Sequence, residues 1–431
     1  MRAPSPVQYP LPRGLPTTPQ AVFEALRSRE SCFWLDSGNR PGRHARFHHL
    51  GSDATLIGTD LDTLLTPEHH APQPRPAVRR VALVAYENGK HFERLTTPPG
   101  STPEPQSWFG DYDACVSFDM VTRSAWITAA DRAAGARLEQ RLSNQPARSP
   151  LTSADYGRPS IPTTATAFAE MVTDTLEYIA AGDVYQVNLS HRISVELPEH
   201  TAPSDVYLAL RTANPAAMGA FVDCGSVAIL SNSPEVFLDV DGRRVATFPL
   251  KGTRPIAADP NTLVDSEKDR AEHIMIVDLV RNDLGRVAVP GTVRVTELMS
   301  VVSHPTVHHL ESRIEAETPP GTSLMALFGA TFPGGSITGA PKIRAMQIIS
   351  ELEGKPRGIY CGALGAIDWC GERSLWNIPI RTGVIADGEL SFRVGGGIVA
   401  DSDPAAEYQE TLDKARAFLD IIGPVDPEGR R

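Results

Sequence analysis

Apolar positions recur at three- and four-residue spacings in several long stretches and alternate with polar ones in most of the rest. The helical spacing marks "AFAEMVTDTLEYIAAG", closed by Gly182. It marks a second helix from about Ser266 to Gly285, where Ser266 and Asp269 form a capping box. A third opens at Pro341 and ends near Gly354. The last begins near Pro404 behind an Asp403 cap, with Ala415, Phe418, Leu419 and Ile422 as its apolar stripe. Period-two runs predict strands around 184–196, 218–223, 227–231, 235–240, 244–250, 360–369, 373–386 and 389–396. Residues 21–130 read as short strands joined by turns, and residues 1–20, with six prolines, as an irregular lead-in. Residues 131–165 read as a helix followed by a linker. Strands in runs, with no βαβ alternation, predict an α+β fold built on antiparallel sheets.

Composition changes this picture little. Apolar residues make up 41% and charged residues 22% of the 431-residue chain, as in ordinary globular proteins. The net charge of −11 and the lack of any Lys/Arg run argue against a nucleic-acid partner. An anionic metabolite would need placed cations, a metal ion or helix N-termini. The five cysteines form no CxxC pair and fit no zinc motif, which suggests reduced thiols and a cytoplasmic location. No run of 18 apolar residues is present, and the Pro-rich start lacks the apolar core of a signal peptide, so no membrane association is expected.

Candidate chemistry lies in the polar positions that interrupt these elements. On the last helix Glu407, Glu410 and Lys414 share one face; taken alone they read as a solvated ion pair. Glu272 on the second helix is a candidate hard oxygen ligand, and Mg²⁺ is commonly held by one or two carboxylates with water and substrate. "FPGGSITGAPK" is a glycine loop feeding a helix, suited to a carboxylate or phosphate. It lacks the Gly-Lys-Ser/Thr ending of a nucleotide-binding P-loop. Lys251 stands at a strand end beside Gly252; a lysine becomes a nucleophile only when it sheds its proton. Glu235 opens a strand, where a part-buried carboxyl can serve as a general acid. His309, Arg381 and the run Gly395, Gly396, Gly397 complete the set, with Arg381 suited to a substrate carboxylate.

The order of these motifs says more than any one of them. "GDVYQVNLS", "SNSPEVFL", "PLKGTRP", "KDRAEHIMIVDLVRNDLGR", "HHLESR", "FPGGSITGAPK", "RGIYCGALGAID", "NIPIRT" and "VGGGIVADSDPAAEYQETLDKA" resemble the chorismate-utilising enzymes over residues 165–422. That family includes anthranilate synthase component I, aminodeoxychorismate synthase component I, and isochorismate and salicylate synthases. The resemblance implies two antiparallel sheets packed as a sandwich with surrounding helices. It also implies a looser N-terminal region over 1–150 and a chorismate-binding catalytic region over 160–423, intertwined as one unit.

The resemblance also implies roles. Glu272 and Glu410 are expected to bind Mg²⁺, with Glu407 close by. Thr338, Gly339, Tyr360, Arg381, Gly395, Gly396, Gly397 and Lys414 are expected to cradle the substrate carboxylates. Glu235 corresponds to the general acid, and His309 to the histidine near the reacting ring. Ser37, in "FWLDSG", falls where relatives hold a regulatory amino acid. Two positions separate the branches. Lys251 replaces the alanine usual in anthranilate synthases and implies covalent catalysis. Gln186 replaces the lysine that activates water in isochorismate synthases. Both point to amination at C4, the aminodeoxychorismate synthase branch. No glutaminase Gly-x-Cys-x-Gly elbow occurs in the sequence, so a separate glutamine amidotransferase partner is expected.

Overall fold

The alternating runs pair into two antiparallel sheets, of eleven and ten strands, in a computed structural model that describes residues 6–71, 73–144, 156–303 and 307–422. The larger sheet runs from Val7–Pro10 at one edge, through Phe33–Asp36 and Met218–Asp223, to Glu389–Ile398, Gln186–Glu196 and Gly339–Ala340. The smaller runs from Leu250–Pro255 and Val307–Glu317, through Val236–Asp241 and Ala363–Asp368, to Leu56–Gly58. Both sheets therefore combine strands from early and late in the chain. Part of the linker read over 131–165, residues 145–155, lies outside the described residues.

Two helices cover the sheets where the site will form. Glu267–Gly285 lays Ile276, Val277, Val280 and Leu284 in one apolar cluster with Phe237 and Ile314 of the smaller sheet and Phe328 of the helix Leu324–Thr331. Pro404–Ile422 packs Ala415, Phe418 and Ile422 onto the larger sheet. There Phe418 stacks on Phe392 at 4.4 Å between ring centroids. A buried Phe of this kind contributes about 2–3 kcal/mol by leaving water. Both caps read from sequence form: Ser266 Oγ accepts from the Asp269 N–H at 3.2 Å and Asp403 Oδ1 from the Ala406 N–H at 2.9 Å.

Three readings need correction. The lead-in is not irregular, because Val7–Pro10 is an edge strand paired with Ser124–Ala129, and Pro19–Leu26 is a helix capped by Thr18. Proline is tolerated at a sheet edge and in a first helical turn, so six prolines did not preclude either. The strand read over 373–386 is two strands. Arg373–Asn377 belongs to the smaller sheet and Thr382–Ala386 to the larger, so Ile378–Arg381 carries the chain from one to the other. The run read as ending at 250 also divides, into Arg244–Phe248 and Leu250–Pro255, which places Lys251 inside a strand rather than after one.

Candidate active site

Glycines of the strand Glu389–Ile398 bring the two carboxylate-bearing helices to one place. A methyl group at Gly397 would stand 2.2 Å from Gln186 Nε2 and 3.4 Å from Glu272 Oε1. One at Gly396 would stand 3.3 Å from Glu407 Oε2, 3.6 Å from Lys414 Nζ and 3.7 Å from Glu410 Oε1. At Gly397 only a residue without Cβ leaves room for Gln186, and at Gly396 the acidic and basic side chains come to contact distance of the strand. Lys414 Nζ bonds Glu410 at 2.7 Å and donates to the Gly395 carbonyl at 3.0 Å. Glu272 and Glu410 thus approach the same three-glycine backbone from different helices.

Lys251 stands between the acidic groups. Its Nζ lies 2.6 Å from Glu272 Oε1, and its charge also acts on Glu410 and Glu235. Glu235 is buried, and burial pushes its carboxyl up to about 7 against the pull of Ser336 and Lys251. Ser336 Oγ donates to Glu235 Oε1 at 2.6 Å. A carboxyl poised near neutral is suited to general acid work. His309 Nδ1 lies 2.8 Å from the Gly252 carbonyl, an acceptor only, so this nitrogen carries the proton in the neutral ring.

Arg381 occupies the crossing between the sheets with φ of +49°, a left-handed conformation that costs a non-glycine residue free energy. Among the described residues it has no ion-pair partner, and burial lowers its pKa. Arg381 is half-buried, and its planar guanidinium is suited to an anionic group. Tyr360 is buried beside Arg357, whose guanidinium lies 5.7 Å from the Tyr360 ring centroid. Thr338 is buried, and its hydroxyl donates to the Gly334 carbonyl at 3.0 Å and so braces the glycine loop. Gly339 lets the loop meet the neighbouring strand, since a methyl there would overlap the Gln186 carbonyl at 2.0 Å.

Sequence reasoning missed the charged hub below this cradle. Glu353, whose side chain is 1% exposed, pairs with Arg357 at 2.6 Å and Arg393 at 2.7 Å. Arg357 in turn donates to the carbonyls of Ile337 and Asn188. The hub therefore links the glycine loop, the strand Gln186–Glu196 and the glycine strand. Glu353 closes its helix and Arg357 follows the Gly354 cap, a place where charged residues are ordinarily solvent-exposed, so the sequence concealed the hub's depth. Ser336, the partner of Glu235, escaped notice for another reason: it sits in a glycine loop whose sequence draws attention only to its backbone.

Ser37 lies apart from these groups. Its hydroxyl donates to the Phe47 carbonyl at 2.6 Å and its N–H to His48 Nδ1 at 3.1 Å. Beside it Asp36 is engaged by Arg211 and Tyr207.

The donor set fits Mg²⁺ as a site completed by substrate and water. No cage of three His, Cys, Asp or Glu is present among the described residues. Glu272 is held by Lys251, Glu410 by Lys414, and Glu407 by Ser402 at 2.6 Å. Burial and the nearby Glu410 raise the Glu407 pKa, so these two carboxylates repel in the absence of added positive charge. One or two hard carboxylates are what Mg²⁺ usually takes from a protein. No helix among the described residues is long and apolar enough to cross a membrane.

Two sheets with a carboxylate and lysine cluster over a glycine strand define an enzyme that handles a small anionic substrate. The family model for chorismate binding enzymes matches residues 30–420, and the chain belongs to that family of chorismate-utilising enzymes. It is 38% identical to anthranilate synthase component 1 of Streptomyces coelicolor over 91% of this chain and 84% of that protein. It is also 38% identical to aminodeoxychorismate synthase component 1 of Klebsiella aerogenes, over 94% and 97%. The structure of anthranilate synthase component I from Streptococcus pneumoniae superposes with a TM-score of 0.77 at 30% identity, covering 88% of this chain and 93% of that one.

Proposed function

We propose that the chain aminates chorismate at C4 to give 4-amino-4-deoxychorismate, on the route to 4-aminobenzoate and folate. Ammonia would come from a glutamine amidotransferase partner, in keeping with the "component 1" names of the relatives. The observation that carries the reading is Lys251, an amine 2.6 Å from Glu272 and within the field of both Glu235 and Glu410.

Glu272 and Glu410 would hold Mg²⁺, which when bound supplies positive charge to neutralise the ring carboxylate. Arg381 and Lys414 would bind and orient the substrate carboxylates. Lys251, once it has shed a proton, adds its amine to C2 as both conjugated ring double bonds shift and the 4-hydroxyl departs. Glu235 gives that hydroxyl a proton, so it leaves as water. Ammonia then adds at C4, both double bonds shift back, and the Lys251 amine is released. The sum is ammonia in and water out, with one difficult displacement divided into two.

The second reading is anthranilate synthase component I, favoured by relatives of that name at the same identity. Incubation with chorismate, Mg²⁺ and ammonium, followed by product identification by mass, separates the two. The expected product is 4-amino-4-deoxychorismate, lost in Lys251→Ala. Anthranilate and pyruvate would establish the second reading instead.

A further inference from the structure

Residues 42–45 form a tight turn closed by the Gly42 N–H on the Ala45 carbonyl at 3.0 Å and the Ala45 N–H on the Gly42 carbonyl at 3.3 Å. The turn precedes the strand Phe47–Gly51 of the larger sheet, yet its two tip residues reach the smaller one. Arg43 Nη1 donates to Glu311 Oε1 at 2.8 Å, and His44 Nε2 lies 3.0 Å from Glu311 Oε2. Arg43 Nη2 holds Glu297 at 2.5 Å on the neighbouring strand. The His44 ring packs edge-on to Phe248 at 4.4 Å.

Glu311 is 2% exposed and lies on Val307–Glu317, two residues beyond His309. Side chains two apart on a strand share a face, about 6.6 Å from each other. Its register partner on the adjacent strand is Leu250, the residue before Lys251. Burying a carboxylate costs desolvation, and aliphatic side chains in place of the whole ion-paired cluster would be about as stable. What the acid adds is direction: two oxygens, each fixed by a separate residue from the opposite sheet.

We propose that Arg43 and His44 are positioning residues for the reaction, acting through Glu311 to fix the strands that carry His309 and Lys251 against the larger sheet. This rests on the amination reading for the roles of His309 and Lys251, but not on which ring carbon is aminated. Near-attack geometry is sensitive to displacements of about 1 Å, which can cost on the order of a hundredfold in rate.

The test is Glu311→Leu beside Glu311→Gln in the full chain, assayed with chorismate, Mg²⁺ and ammonium well below the thermal midpoint. Glu311→Leu should lower kcat by about ten- to a hundredfold, with KM for chorismate near wild type. Glu311→Gln, which keeps an acceptor oxygen, should recover most of kcat, and Arg43→Ala should reproduce the loss. Wild-type kcat in Glu311→Leu, or no recovery in Glu311→Gln, would overturn the proposal. Product identity is read separately in the same assay. Anthranilate in place of the 4-amino product would defeat the amination reading while the kcat ratio still decides the clamp.

Discussion

Glu235→Gln should stabilise the protein at alkaline pH while abolishing its chemistry. The folded chain raises the Glu235 carboxyl from 4.5 to about 7 because burial penalises the charged form. That gap corresponds to roughly 3 kcal/mol of preference for the protonated state. The folded protein therefore holds this proton more tightly than the unfolded chain between pH 4.5 and about 7. Stability from this group is fully present below 4.5, falls as pH rises through that window, and levels off above about 7. Glutamine has no proton to lose. Its amide keeps the shape of the carboxyl, and the Ser336 hydroxyl can turn to donate or accept. At about pH 8 the variant should be more stable than wild type by up to roughly 3 kcal/mol, and at pH 4.5 the two should converge. A chain of 431 residues has an unfolding entropy of about 0.9 kcal/mol/K, so the alkaline difference amounts to about 3 °C. Paired thermal scans at about pH 5 and about pH 8 measure it. A difference in midpoint that does not grow with pH would refute the argument that burial governs this carboxyl.

Two further variants probe the cradle and its support. Arg381→Ala should lower kcat/KM for chorismate by about thirtyfold or more, the loss of a charged hydrogen-bonding partner; because Arg381 has no ion-pair partner among the described residues, stability should hold or rise, and a fall in thermal midpoint with unchanged KM would mark it as structural. Glu353→Gln should cost about 3–5 kcal/mol by leaving Arg357 and Arg393 buried without their anion, and denaturation at neutral pH with no loss would show that the hub contributes little.

Local features were legible in the sequence, and long-range ones were not. Helix limits near Gly285, Gly354 and Pro404 follow from caps and glycines written beside them, and each appears within a residue or two of its expected place. The break at Ile378–Arg381 was hidden because apolar alternation continues on both sides while the chain changes sheets. The helices Pro203–Ala213 and Leu324–Thr331 and the strand Arg294–Ser303 went unread, although Pro203 opens the first helix and Ser323 caps the second. For the candidate site, motif order proposed residues but not their partners. Ser336 is 101 residues from Glu235, and Arg43 is 268 from Glu311. Pairings at such separations arise from topology, which period and capping do not encode.

The same topology explains why so many charges are buried around one cleft. A site between two sheets cannot draw all its groups from one rigid element, since each sheet supplies only its own strands. Lys251, Glu235 and His309 belong to the smaller sheet or its margins, whereas Gln186 and the three glycines belong to the larger. Apolar contact between the sheets supplies cohesion but little direction, because dispersion changes slowly as one surface slides over another. Hydrogen-bonded ion pairs lose strength steeply with small misalignment. The Arg43–Glu311 contact ties one sheet to the other, and the Arg357–Glu353–Arg393 hub ties the glycine loop to the glycine strand. Each costs desolvation that an aliphatic core would avoid, and each lies at a seam where a displacement would separate the carboxylates from the lysine. Buried charge in this fold thus serves the register of the site more than the stability of the chain.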